Sequence, residues 1–234
     1  MPRARRRSAA KLAILCVGAA VLTMLLGSFA AVLVLRFLPP PATALMLEQP
    51  GKLRDLAYAW RDRPRISSTV ARAVIAAEDQ RFLAHRGFDL EQMQHAIDDY
   101  RAGEDLRGAS TITQQVAKNL FLWSGRSFVR KGLEAYFTVL LEACWPKQRI
   151  LEVYLNVAEL GTGVFGVEAA AQRFYGIHAN ALSAEQAALL AAVLPNPRRL
   201  RVDKPSAYVR ERQAWILEQM QLLETRGHYR GLDW

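Results

Sequence analysis

Cysteine is scarce: the 234 residues hold two, Cys16 in a long apolar run and Cys144 in a helical pattern. They have no means of pairing with each other, so stability rests on packing and not on disulfides. No Cys/His spacing typical of a metal or redox motif is present. Runs of alternating apolar and polar residues are also missing, as are internal repeats, which points to a mainly α domain. The net charge of +9 is thinly spread, because five of the basic residues fall in the first 11 positions and leave +4 for the rest. A nucleic-acid-binding domain would carry a denser patch. A mild excess suits an anionic membrane surface or a phosphate-bearing ligand.

Charge is absent altogether from Leu12 to Leu35, a run of 24 residues. At about 1.5 Å per residue this run reaches ~36 Å, enough to cross a bilayer core of ~30 Å. Arg3, Arg5, Arg6, Arg7 and Lys11 precede it, so the positive-inside rule keeps the N-terminus in the cytoplasm and puts everything after Arg36 on the far side. The run is longer than the ~7–15 apolar residues of a cleavable signal peptide. Bulky Leu15 argues against a lipoprotein site at Cys16. The expected layout is a basic cytoplasmic stub (1–11), an uncleaved anchor (12–35), a stalk containing PPPA and RDRPR (36–64) and one domain (65–234).

Within the domain, helix-start signals succeed one another. Ser67 or Ser68 caps a segment with Val70, Val74 and Ile75; Asp89 with Gln92 opens a helix that Gly103 closes; Ser127 opens a third. Pro146, Ser183 with Gln186, and Ser206 start three more. GTGVFG at 161–166 matches the dinucleotide fingerprint G-x-G-x-x-G. That fingerprint needs a preceding strand and an acid on a second strand. Here it follows a helix, so it reads as a tight connection between helices.

The stretch GASTITQQVAKNLFL, 108–122, begins polar and ends apolar. Thr111 with Gln114 has capping-box spacing, and Ile112, Val116 and Leu120 form a stripe for a core. Thr111, Gln115, Lys118 and Asn119 share another face, rich in donors and free of acids, which suits an oxygen-rich or anionic ligand. Leu120 to Trp123 is expected either in the core or in a bilayer. Two carboxylates stand out. Glu78 closes an apolar helical stretch, where desolvation raises a carboxyl's pKa and fits it for general acid-base work. The plain alternative is a cap, or an ion pair of Glu78 or Asp79 with Arg81. Glu134 follows Arg130 and Lys131 by one turn, so it is either an ordinary ion pair or a second cleft carboxylate.

These residues carry a resemblance. Glu78-Asp79-x-x-Phe82-x-x-His85-x-Gly87 and Gly108-x-Ser110-Thr111-Ile112-Thr113-Gln114-Gln115-x-x-Lys118-Asn119 resemble the first two signatures of the peptidoglycan glycosyltransferases, glycosyltransferase family 51. Arg130-Lys131-x-x-Glu134 resembles the third. Arg149 to Asn156, continuing to Gly161-x-Gly163, resembles the fourth, and Leu189 to Pro197 the closing segment. All lie in order between about 65 and 205, with no room for a transpeptidase domain.

The resemblance implies a lysozyme-like helical fold beside a smaller lobe that dips into the membrane. It implies polymerisation of lipid II into glycan strands on the outer side of the cytoplasmic (inner) membrane. By the same resemblance Glu78 is the base, and Lys118 and Arg126 hold the donor pyrophosphate. Ser110, Gln115, Asn119, Arg130 and Lys131 line the cleft. Glu134 orients groups or helps a divalent cation, magnesium or manganese, to bind; no other cofactor is implied, and Asp79 is open to a structural role. Implied partners are lipid II, the growing strand, membrane lipid and other cell-wall synthesis proteins, with no nucleic acid. The rivals are a lytic transglycosylase or lysozyme-like hydrolase, which needs no pyrophosphate cations, and a non-catalytic wall anchor.

Overall fold

The computed structural model describes residues 2–51, 53–103, 110–125 and 127–234. The chain divides into two compact units, Met1–Leu38 and Pro39–Trp234. The first is a single helix, α1 (Pro2–Leu35). Its stretch Ile14–Leu35 is long and apolar enough to cross a membrane, and this fits a membrane anchor. Two hydroxyls inside that stretch bond back to the helix, Thr23 to the Ala19 carbonyl and Ser28 to the Leu25 carbonyl, both at 2.9 Å. Polar groups in hydrocarbon need such local partners.

The second unit is mainly α. Short α2 (Ala44–Leu47) leads to α3 (Ser68–Glu78), α4 (Leu90–Arg101), α5 (Ile112–Phe121), α6 (Phe128–Cys144) and α7 (Lys147–Val157). Then come α8 (Val167–Tyr175), α9 (Ala184–Ala192) and α10 (Ala207–Thr225). Side-chain caps stand where the spacing predicts them: Ser67, Asp89, Thr111, Ser127, Ser183 and Ser206 each accept from a backbone N–H of the first turn. Thr111 and Ser183 complete full capping boxes. Two helix groups form the core. α9, whose buried face is mostly alanine, packs with α3 and α10, and α5 packs with α6 and α7. Buried α7 contributes Ile150, Leu151, Val153, Leu155 and Val157.

Residues 39–64, expected as a stalk, are built into this unit. The Tyr58 hydroxyl donates to the Pro40 carbonyl at 2.7 Å, and the Arg61 backbone exchanges hydrogen bonds with the Asn156 side chain at 2.8 and 2.9 Å. β1 (Ala57–Tyr58) pairs in parallel with β3 (Val164–Phe165), which pairs antiparallel with β2 (Glu159–Gly161). GTGVFG is therefore a small hairpin and not a helix-to-helix turn; strands of two or three residues are too short to show alternation. Gly166 is required where this hairpin enters α8: its φ is +81°, and a Cβ there would lie 2.4 Å from the Asn156 carbonyl oxygen.

Fully buried Glu168 ties this end together, accepting from Arg61 Nη2 at 2.8 Å, Gln172 Nε2 at 2.6 Å and the Ala179 N–H at 2.9 Å, with His178 Nδ1 at 2.8 Å. Burial opposes its charge, but the Arg61, Ala179 and His178 bonds outweigh burial and hold the carboxyl down to about 2. The unfolded chain releases this proton near the ordinary value of 4.5. The network's contribution is thus complete above pH 4.5 and drains away as pH falls toward 2, on the order of 2–3 kcal/mol in all. Glu168→Gln should flatten that part of the stability-against-pH curve in denaturant titrations of the full chain; an unchanged slope would contradict the assignment.

Candidate active site

Two adjacent carboxylates at the end of α3 do different work. Asp79 turns inward as a pin. Its Oδ2 accepts from the Ile112 N–H at 3.0 Å, the first turn of α5, and its Oδ1 lies 2.8 Å from His85 Nε2. The Thr111 hydroxyl donates to the Gly87 carbonyl at 2.7 Å, so the turn after α3 is stitched to the start of α5. Asp79 is buried and neither carboxylate pairs with Arg81, which turns to Asp89 and Glu91. Asp79→Ala would orphan a buried N–H and an imidazole nitrogen, at a cost of about 2–4 kcal/mol. Calorimetric melting of the variant should show that loss, and a parental melting temperature would refute the pin.

Glu78 points into an open cleft of ≈ 250 Å³ lined by Asp79, Gln80, Gln92, Ser110, Thr111 and Trp215. Its Oε2 accepts from Gln115 Nε2 at 2.8 Å, and Gln115 Oε1 accepts from the Tyr154 hydroxyl of α7 at 3.0 Å. Arg212 Nη2, from α10, lies 3.7 Å from Glu78 Oε1. Burial pushes the Glu78 carboxyl above the usual carboxylate range; the Gln115 bond and the charges of Arg212 and Lys118 pull the other way, while Asp79 adds to the rise.

One turn beyond Gln115, α5 presents Lys118, half-buried and with no hydrogen bond or ion pair among the described residues. Burial drives its ammonium toward a lower pKa. Glu134 and Glu78 oppose that, and Arg130 and Lys131 reinforce it. Lys118 thus feels the charge of both carboxylates. Glu134, 3% exposed on α6, pairs with Arg130 Nη1 at 2.6 Å and with Lys131 Nζ. The ion pair read from spacing exists, and it also positions the two cations. Asn119 Oδ1 and Arg130 Nε are buried without a protein partner among the described residues. Ser110 is exposed at the cleft lip, and Arg126 lies outside the described residues.

A divalent cation at Glu134 would have to displace Arg130 or Lys131, so these donors do not fit a resident metal. The described residues contain one cluster of three possible ligands, Asp79, His85 and Asp89. Its oxygens are already occupied, Asp79 as above and Asp89 Oδ1 by the Gln92 N–H at 3.0 Å. The apolar end of α5 is mostly core. Leu120 and Leu122 are buried and Phe121 stacks on Phe137, which leaves Trp123 exposed together with Phe128 and Val129 at the start of α6. Sequence reasoning missed Arg212 and the bond from buried Tyr154 to Gln115. A tyrosine on the otherwise aliphatic face of α7 was the available signal, because a buried hydroxyl requires a partner.

A transglycosylase profile matches residues 50–221. The chain belongs to the transglycosylase family. It is 57% identical over 198 residues to the biosynthetic peptidoglycan transglycosylase of Stutzerimonas stutzeri, covering 82% of each chain. It is 52% identical over 220 residues to the protein of that name from Pseudomonas syringae pv. syringae, covering 92% of this chain and 93% of the relative. A shielded carboxylate and a cation with no partner among the described residues are groups that can serve a glycosyl transfer with an anionic leaving group.

Proposed function

We propose that this chain is a peptidoglycan glycosyltransferase that polymerises lipid II into linear glycan strands for the cell wall, releasing undecaprenyl diphosphate. One observation carries the reading: Glu78, at the end of α3, is held by Gln115 of α5, and one turn further along α5 stands Lys118, a half-buried cation with no hydrogen bond or ion pair among the described residues. Glu78 removes the proton from the acceptor's 4-hydroxyl as that oxygen attacks the donor's anomeric carbon with inversion. Lys118, with Arg126, holds the departing pyrophosphate, and Glu134 keeps Arg130 and Lys131 aimed at the same anion. A fixed cation in a sheltered cleft stabilises such a leaving group by several kcal/mol. Ser110, Gln115 and Asn119 supply polar contacts to the sugars and phosphates. A strand-cutting hydrolase has no use for Lys118, and a non-catalytic anchor has no use for a buried carboxylate beside it.

Residues 1–11, ahead of the apolar run, are basic, which supports a cytoplasmic N-terminus and a catalytic unit outside the inner membrane. Exposed Trp123, Phe128 and Val129 support contact with membrane lipid. The test is purified full-length chain in detergent with lipid II as the sole substrate. Long strands and free undecaprenyl diphosphate are expected. Shortening of preformed strands without polymerisation would overturn the reading.

A further inference from the structure

Tyr154 is 1% exposed, among the largest fully buried side chains, and flanked on α7 by Ile150, Leu151 and Leu155. A buried phenol needs a partner. Among the described residues its hydroxyl bonds to Gln115 Oε1 at 3.0 Å and to no other group. Gln115 in turn gives Nε2 to Glu78 at 2.8 Å. A primary amide has one accepting end and one donating end. In the observed arrangement the Tyr154 O–H donates to the amide oxygen, which leaves the NH₂ end to face Glu78. Burial holds the Tyr154 phenol well above its ordinary range, so it remains a donor wherever the enzyme works. Reversed, the amide would set its oxygen against the carboxylate, an arrangement tolerable only when Glu78 carries a proton.

We propose that Tyr154 is a positioning residue: by engaging the Gln115 carbonyl it keeps the amide's donor end on Glu78, and so holds that carboxylate ionised and oriented to accept a proton. The inference rests on Glu78 being the base. The other charged groups acting on Glu78 are Arg212 from α10, Lys118 from α5 and Asp79 from the adjoining turn. None of them touches the Gln115 oxygen, so none replaces the hydroxyl when it is removed.

Without the hydroxyl, the amide is free to turn and favour the protonated acid, adding to the rise that burial already imposes on Glu78. The acid limb of kcat/KM for lipid II polymerisation should therefore move to higher pH in Tyr154→Phe, by about one unit. On the acid side this reads as a roughly tenfold loss that recovers as pH rises, with KM little changed. Incorporation of 3,5-difluorotyrosine at 154 gives a stronger donor of nearly the same shape, and should move the limb to lower pH. Both full-length variants are measured beside the parent and Glu78→Gln. A limb that stays put in either folded variant, or a loss uniform across pH, overturns the proposal and leaves Tyr154 a core residue. If the phenylalanine variant fails to fold, the difluorotyrosine variant decides alone. Near-parental polymerisation by Glu78→Gln would instead remove the base assignment, an outcome distinguishable from the other.

Discussion

Glu78→Gln is expected to lower lipid II polymerisation by ~10²–10⁴-fold or more while leaving the fold and substrate binding in place. Glutamine keeps the length of the side chain, and its oxygen still accepts from Gln115 Nε2, which lies 2.8 Å from the native carboxylate. What it loses is the ability to take a proton near neutral pH. Stability should hold, because burial in this position disfavours the charged form and a neutral side chain suits the site. Glu134→Gln is the contrast. Its carboxylate is spent on Arg130 and Lys131, so its loss disturbs their aim and should cost less activity. Single-turnover coupling, lipid-analogue binding and a melting curve on the same preparations separate these effects. A Glu78→Gln enzyme working near the parental rate would make Glu134 the leading base.

Lys118→Ala should cost ~2–4 kcal/mol of transition-state stabilisation, a fall of ~30–1,000-fold in kcat/KM. The free protein gives up little in exchange. Lys118 has no partner among the described residues and burial already penalises its charge, so the melting temperature should stay level or rise slightly. This division between activity and stability marks a group kept for a ligand. Arg126→Ala should behave similarly by the family resemblance. Equal activity of Lys118→Ala and parent at both saturating and subsaturating lipid II would sink the pyrophosphate assignment.

What could be read in advance was local. The capping boxes at Thr111 and Ser183 act within four residues, so spacing alone located the starts of α5 and α9. Glu78, Gln115, Lys118 and Glu134 could be picked out as candidates from residue type and helical spacing, and the motif resemblance supplied the roles expected of them. Arg212 was not legible: it meets Glu78 only because α3 and α10 pack in one helix group, and no pattern links positions 134 residues apart. Asp79 was legible as a motif residue but not as a pin, because its partner Ile112 offers only a backbone N–H. The hairpin at 159–165 and the docking of residues 39–64 escaped for a related reason. Strands of two or three residues carry no periodicity, and β1 finds its neighbour β3 more than a hundred residues downstream.

Asn119 Oδ1 and Arg130 Nε, both buried and unpaired among the described residues, have a consequence for inhibitor design. Neither atom is held by a protein hydrogen bond among the described residues, so a compound that reaches one has none to displace. A donor placed on Asn119 should gain more than the ~0.5–1.5 kcal/mol of an ordinary hydrogen bond, and an acceptor placed on Arg130 more again, because that donor is charged. In a matched pair of cleft ligands differing by one such group, affinity should separate by at least several-fold, with the gain appearing as slower dissociation.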